Sequence, residues 1–208
     1  MTNISSKSRL AIILSGLEGF YESKLRQEQY LMDSEIGASM LWNAYLLGDI
    51  EGKVIADLGC GTGLLGIGAL LLGAKQIIFV DSDEESLEIA RNNISKVKSE
   101  GYKLGKAKFI CRDVRKLKLR VDIALQNPPF GTKNRHADVF FLEKALEIAR
   151  IVYSFHKSET LDFLERFAAK KNAKITHIWD FKFPLKASFS FHQRQIHRID
   201  VSCLRFIK

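Results

Sequence analysis

The stretch QNPPFGTKN (126–134) follows the apolar run at 121–125, where a parallel-sheet strand is expected to end. Proline fixes its own φ, lacks an N–H and restricts the residue before it. Asn127, Pro128 and Pro129 therefore make a stiff turn that is short of donors. A second constellation, ADLGCGTGLLG (56–66), follows another β-rich run. Gly59, Gly61 and Gly63 let the backbone turn tightly and approach a ligand closely, and the helix beyond offers its first amides to a carboxylate. Asp81, at the end of the next apolar run, suits a ribose diol. An NAD-binding loop would read G-x-G-x-x-G, to which Gly66 gives a partial match, so the glycine loop alone leaves the ligand open.

The elements that position these residues are legible from apolar periodicity. Helices are predicted at 8–17, 34–47, 64–72, 84–98, 138–150 and 159–171. Strands are predicted at 53–58, 76–81, 107–111, 121–125, 151–155, 174–183 and 196–206. After the first two helices, strands alternate with helices, which implies a parallel sheet covered by helices, with right-handed crossovers. The last two strands are expected to form an antiparallel hairpin at one edge. Ligands of such sheets lie beyond the carboxyl ends of the strands, where strand order reverses. The glycine loop, Asp81, Asp113 and the proline turn all fall at such ends.

A chain of 208 residues with 46% hydrophobic content can bury one sizeable core, and one domain spanning 1–208 is expected. The apolar run at 10–14 is short and is followed by Glu18, which favours an amphipathic helix over a signal peptide. No run approaches a membrane span. Cys60, Cys111 and Cys203 are far apart in the chain, and the histidines and cysteines lack metal-ligand spacing, so no metal site is expected. The protein is expected to be cytoplasmic. The net charge of +8 is concentrated at 91–120, where eleven Lys or Arg face two acidic residues. This stretch reads either as a solvated face or as an electrostatic surface for nucleic acid.

The D-x-G-x-G-x-G loop, the acidic second-strand end, the aspartate after the third strand and NPPF after the fourth together resemble class I methyltransferases acting on nitrogen. The resemblance implies a Rossmann-like fold with a seven-stranded, mostly parallel sheet, and S-adenosylmethionine as cofactor. It places Gly59, Gly61, Thr62, Gly63 and Leu64 around the methionine end, with Asp57 helping to seat the amino group. Asp81 would hold the ribose hydroxyls, and Asp113 with the Val114 backbone would read the adenine. The acceptor nitrogen is an exocyclic amine or an amide, whose delocalised lone pair makes it a poor nucleophile. The Asn127 side-chain oxygen and the Pro128 carbonyl can each accept one N–H and aim the nitrogen at the methyl group. Pro129 stiffens the turn, and Phe130 offers a face to a flipped base.

Over almost its whole length the chain resembles the archaeal and eukaryotic methyltransferase-like protein 5 family. The matching stretches are EQY (28–30), ADLGCGTG (56–63), NPPFGTKN (127–134), ALEIAR (145–150), VYSFHKS (152–158) and FHQR (191–194). That family makes N6-methyladenosine at one adenine of small-subunit ribosomal RNA. The resemblance implies that Gln29 reaches the cofactor, that Tyr30 helps wall the pocket and that residues 1–50 form a helical cap over it. It also implies a small zinc-binding Trm112-like activator docked on the edge strand at 107–111. Two positions depart from the pattern: Met32 stands where relatives have Thr, and Gln126 where they have a hydrophobe. RNA contacts are expected at His156 and Lys157, just beyond the fifth strand, and at Phe189, Phe191, His192 and Arg194 between the last two strands. A protein-glutamine N5 methyltransferase and a catalytically silent RNA-binding scaffold are the alternatives. The first is disfavoured because its NPPY relatives carry a large N-terminal helical domain, the second because both motifs are intact.

Overall fold

The computed structural model describes residues 4–19, 32–129, 137–185 and 197–208. In chain order these form α1 (Lys7–Ser15), α2 (Ser34–Leu46), β1 (Val54–Leu58), α3 (Leu64–Leu71), β2 (Gln76–Asp81) and α4 (Glu84–Ser99). There follow β3 (Lys106–Cys111), β4 (Val121–Gln126), α5 (Ala137–Ile148), β5 (Ala149–Lys157), α6 (Leu161–Lys170), β6 (Lys174–Leu185) and β7 (His197–Ile207). Side-chain caps start three of the helices: Ser6 accepts from Arg9 N–H, Asp33 from Glu35 and Ile36, and Asp83 from Glu85. Each satisfies backbone donors that the first helical turn leaves unpaired.

The strands form a seven-stranded sheet in the order β3-β2-β1-β4-β5-β7-β6. The first five are parallel, while β7 is antiparallel to both β5 and β6. The fold is therefore the Rossmann-like one expected, with the final hairpin at one edge. Buried side chains of α1 to α4 pack with Ile55, Phe79, Leu125 and Phe155 on one face. On the other, Leu142, Ala145 and Leu146 of α5 and Leu164 of α6 pack with Leu58, Ala124 and Val152. The alternation of strand side chains thus serves two cores. Each large residue buried completely, Phe79 for example, contributes about 1.5–3 kcal/mol.

Two details differ from the sequence expectation. The helix expected to reach residue 150 ends at Ile148, because Ala149 already pairs with Val121 in the sheet. At its other end β5 runs two residues further than expected, since His156 and Lys157 pair with Ser202 and Val201 of β7. Helices α1 and α2 contribute Leu10, Leu14, Met40 and Leu41 to the same core as Leu65 and Leu70 of α3. The stretch expected to reach from them over the cofactor, with Gln29 and Tyr30, lies outside the described residues.

Candidate active site

Strand order reverses between β1 and β4, and the register there pairs Leu58 with Gln126. On its other side Leu58 pairs with Val80. The next residues, Gly59, Asn127 and Asp81, therefore leave three adjacent strands side by side, at spacings set by the roughly 4.8 Å between neighbouring strands. The glycine loop, the proline turn and the acidic strand end are brought together by register alone.

The loop itself is left-handed three times, at Gly59 (φ 65°), Gly61 (φ 52°) and Gly63 (φ 87°). Gly63 caps α3, and a Cβ there would sit 3.0 Å from that of Ala90, so both conformation and space call for glycine. Gly66 serves packing: an added Cβ would fall 2.3 Å from the Phe79 ring. The loop is fastened by its own carboxylates. Asp57 Oδ2 accepts from Gly66 N–H at 2.8 Å, Asp81 Oδ2 from Gly61 N–H at 2.9 Å, and Asp81 Oδ1 from Asp83 N–H at 3.1 Å. Burial pushes the Asp57 carboxyl up to about 7, with the nearby Asp81 charge adding to the rise. Burial also raises the Asp81 carboxyl above its ordinary range. Both groups sit where a bound cation or a hydroxyl donor would stabilise the ionised form.

Thr62 is buried, and its carbonyl accepts from Asn93 of α4 at 3.0 Å. Sequence reasoning missed Asn93, although a polar residue among Leu87, Ala90, Ile94 and Val97 on the apolar side of a helix is a usable signal. Leu64 opens α3. Asp113 caps the short 3-10 turn Val114–Lys116 and accepts from both the backbone and the guanidinium of Arg115. That pairing holds the Asp113 carboxyl down at about 2. Val114 is buried in the α5-side core.

At the proline turn Pro128 is buried, while Asn127 and Pro129 are half-buried. The Asn127 side-chain oxygen is buried and accepts no hydrogen bond. A buried acceptor without a donor is unfavourable until something supplies one. The residues present fit a nucleoside-bearing cofactor: a left-handed glycine loop, a carboxylate at the neighbouring strand end and a buried acceptor without a donor stand side by side at the ends of β1, β2 and β4.

The RNA-contact expectation for His156 requires correction. The residue lies within β5 rather than beyond it and is 1% exposed, with its ring at Ser154 and Asp138 rather than at the surface. Lys157 stands at the strand end, half-buried, with its Nζ 3.7 Å from Glu159. Phe130, Phe189, Phe191, His192 and Arg194 lie outside the described residues. Among the described residues no cluster of three or more His, Cys, Asp or Glu could hold a metal, and no helix is long and apolar enough to cross a membrane.

Comparison with known proteins agrees with this geometry. Residues 34–151 match the family described as methyltransferase small domain. The chain is 35% identical to the rRNA N(6)-adenosine-methyltransferase METTL5 of Danio rerio, over 93% of this chain and 94% of that one. It is 34% identical to the rRNA N(6)-adenosine-methyltransferase Mettl5 of Drosophila melanogaster, over 95% and 94%. Among solved structures, a candidate RNA methyltransferase from Pyrococcus horikoshii superposes with a TM-score of 0.87 at 44% identity, covering 99% of this chain and 98% of that one.

Proposed function

Because the chain belongs to the methyltransferase small domain family and, within it, to the METTL5 rRNA N(6)-adenosine-methyltransferases, we propose that it methylates N6 of one adenosine in small-subunit ribosomal RNA. S-adenosylmethionine is the cofactor and, when bound, supplies an electrophilic methyl group. The observation that carries the reading is the buried Asn127 oxygen, left without a donor beside the glycine loop. The exocyclic amine of adenine brings the N–H groups this site lacks. Asn127 and the Pro128 carbonyl accept one N–H each, which draws the lone pair out of conjugation and fixes its direction. No strong general base is required. Asp81 binds the ribose hydroxyls, Asp57 faces the amino end, and Asp113 with the Val114 backbone reads the adenine of the cofactor.

Lys116 and Lys118, exposed on either side of the buried Leu117, attract RNA phosphates. Phe189, Phe191, His192 and Arg194, with Lys157 at the rim, position the nucleotides around the target. The activator is a Trm112-like protein that adds a strand to β3, an edge strand whose Lys106 and Lys108 are exposed. A pocket of about 560 Å³ beside that edge, lined by Lys75, Arg91, Lys98 and Lys106 over Phe109, supports an acidic partner there. The protein acts as one domain, in the cytoplasm.

The deciding experiment uses small ribosomal subunits from a strain lacking this protein, incubated with labelled cofactor and then mapped by nucleoside. Label at N6 of a single adenosine is expected, and Asn127→Ala should lose on the order of 100-fold or more in rate while still binding cofactor. Label in protein glutamine, or wild-type turnover by the variant, would sink the reading.

A further inference from the structure

We propose that His156 is a positioning residue, holding the Asn127 acceptor in place through a buried chain of side chains; this rests on the role given to Asn127 above. The register of β4 and β5 sets Gln126 beside Ser154, and His156 follows two residues on, so all three project to one face. That is the face α5 covers, since Ala124 and Val152 of the same parity pack with Leu142 and Leu146. Their exposures are 0%, 0% and 1%, so water offers them no alternative partners.

The two hydrogen-bonded links are short. Gln126 Nε2 donates to Ser154 Oγ at 2.8 Å, and that oxygen lies 2.7 Å from His156 Nε2. A serine hydroxyl has a single hydrogen. Ser154 accepts from Gln126, and its second lone pair and its hydrogen let it accept from or donate to Nε2. The other ring nitrogen, Nδ1, lies 3.6 Å from Asp138 Oδ2, just beyond hydrogen-bond length, and this close approach of the ring holds the Asp138 carboxyl below its ordinary range.

One imidazole is thereby tied to both elements that flank the Asn127–Pro128–Pro129 turn. Ser154 and Gln126 connect it by hydrogen bonds to the last residue of β4, and its other nitrogen stands 3.6 Å from Asp138 in the first turn of α5. Gln126 precedes Asn127 by one peptide bond, and it cannot turn without leaving a buried donor unpaired. The same bond keeps the Gln126 NH2 directed to β5, so the two orphaned oxygens of this strand end, Gln126 Oε1 and Asn127 Oδ1, both remain acceptors.

The test is steady-state kinetics with S-adenosylmethionine and small subunits from the deletion strain. It compares wild type with His156→Ala, His156→Asn, Gln126→Leu and Ser154→Ala, with Asn127→Ala as the control. His156→Ala should lower kcat on the order of 10- to 100-fold at unchanged RNA KM and cofactor Kd, because misplacement of the acceptor affects the transfer geometry. His156→Asn, whose amide can donate to or accept from Ser154, should recover most of that loss. Gln126→Leu and Ser154→Ala cut the chain on the β4 side and serve the same purpose if His156→Ala does not fold. Wild-type kcat in the folded variants, or losses confined to KM or Tm, would overturn the proposal. If Asn127→Ala were as active as wild type, the role of Asn127 would fail. If it were inactive while the relay variants were normal, only the relay would fail.

Discussion

Asn93 and Glu18 are joined by a reciprocal pair of hydrogen bonds: Asn93 Nδ2 donates to the Glu18 carbonyl at 3.0 Å, and Glu18 N–H donates to Asn93 Oδ1 at 2.7 Å. The same Nδ2 donates to the carbonyl of Thr62 in the glycine loop. One amide on α4 thus fastens the cofactor loop to the chain that leaves α1. In Asn93→Leu, two carbonyls and an N–H would lose their partner, at about 1–3 kcal/mol for each group left buried. The variant should show a lower Tm and a cofactor Kd raised on the order of tenfold, read by calorimetry. An unchanged Kd in the folded variant would confine Asn93 to stability.

Asp57 makes the stability of the ligand-free protein depend on pH. Its folded value is about 7 against an ordinary 3.8, chiefly from burial. Between those two values the folded protein holds a proton that the unfolded chain has released, so stability falls as pH rises across the interval. Asp57→Asn removes that slope. The variant should be more stable than wild type at pH 8, by on the order of 1–4 kcal/mol, and should converge with it near pH 4. Denaturant unfolding at pH 4, 6 and 8 measures this; parallel curves would show that Asp57 does not carry the shift.

Asp81 and Asn127 should fail in opposite ways although they stand at the ends of the two strands that flank β1. Asp81→Ala removes a contact made equally before and during transfer, so cofactor Kd should rise while turnover at saturating cofactor changes little. Asn127→Ala should show the reverse. A titration of cofactor binding set beside saturated rates separates them, and a matched loss of both parameters in Asp81→Ala would count against the ribose role.

Far from the transfer point, Arg205 of β7 donates through Nε to Asp49 Oδ2 at 2.7 Å, and Tyr153 donates to the same oxygen at 2.6 Å. Asp49 and Arg205 are 5% and 8% exposed. Arg205→Met leaves a buried carboxylate without its cation and should cost about 3–5 kcal/mol. Replacing both, as Asp49→Leu with Arg205→Met, should recover much of the loss. Urea unfolding of the single and double variants tests this, and equal destabilisation in the two would contradict it.

Replacing Lys116 and Lys118 with Glu should weaken RNA binding and flatten its dependence on salt, with saturated turnover nearly unchanged. Phosphate contacts release counterions and carry little positional information. Binding measured across a salt series decides the point, since an unaltered slope would remove these lysines from the RNA surface.

Residues 56–66, Asp81 and 127–129 could be recognised in the sequence because their chemistry is local. Left-handed turns need glycine, a donor-poor acceptor turn needs proline, and both must follow strands whose apolar runs are themselves local. The alternation of those runs also determined the parallel sheet and its ligand edge. What the tertiary structure alone decided involves partners distant in the chain. Asn93 shows in the sequence only as a polar residue on the apolar side of a helix, and its partners Glu18 and Thr62 are fixed when the fold brings them to it. The identity of β7 rather than β6 as the neighbour of β5 extended that strand through Lys157 and drew His156 from the expected rim into the interior. Gln126 likewise stood out in the sequence only as a departure from a pattern, and its role emerged from its register with Ser154. Burial is a property of the assembled core, so the raised carboxyl of Asp57 and the hydrogen-bonded chain from Gln126 through Ser154 to His156, with Asp138 beside it, exist only once the sheet and α5 have come together.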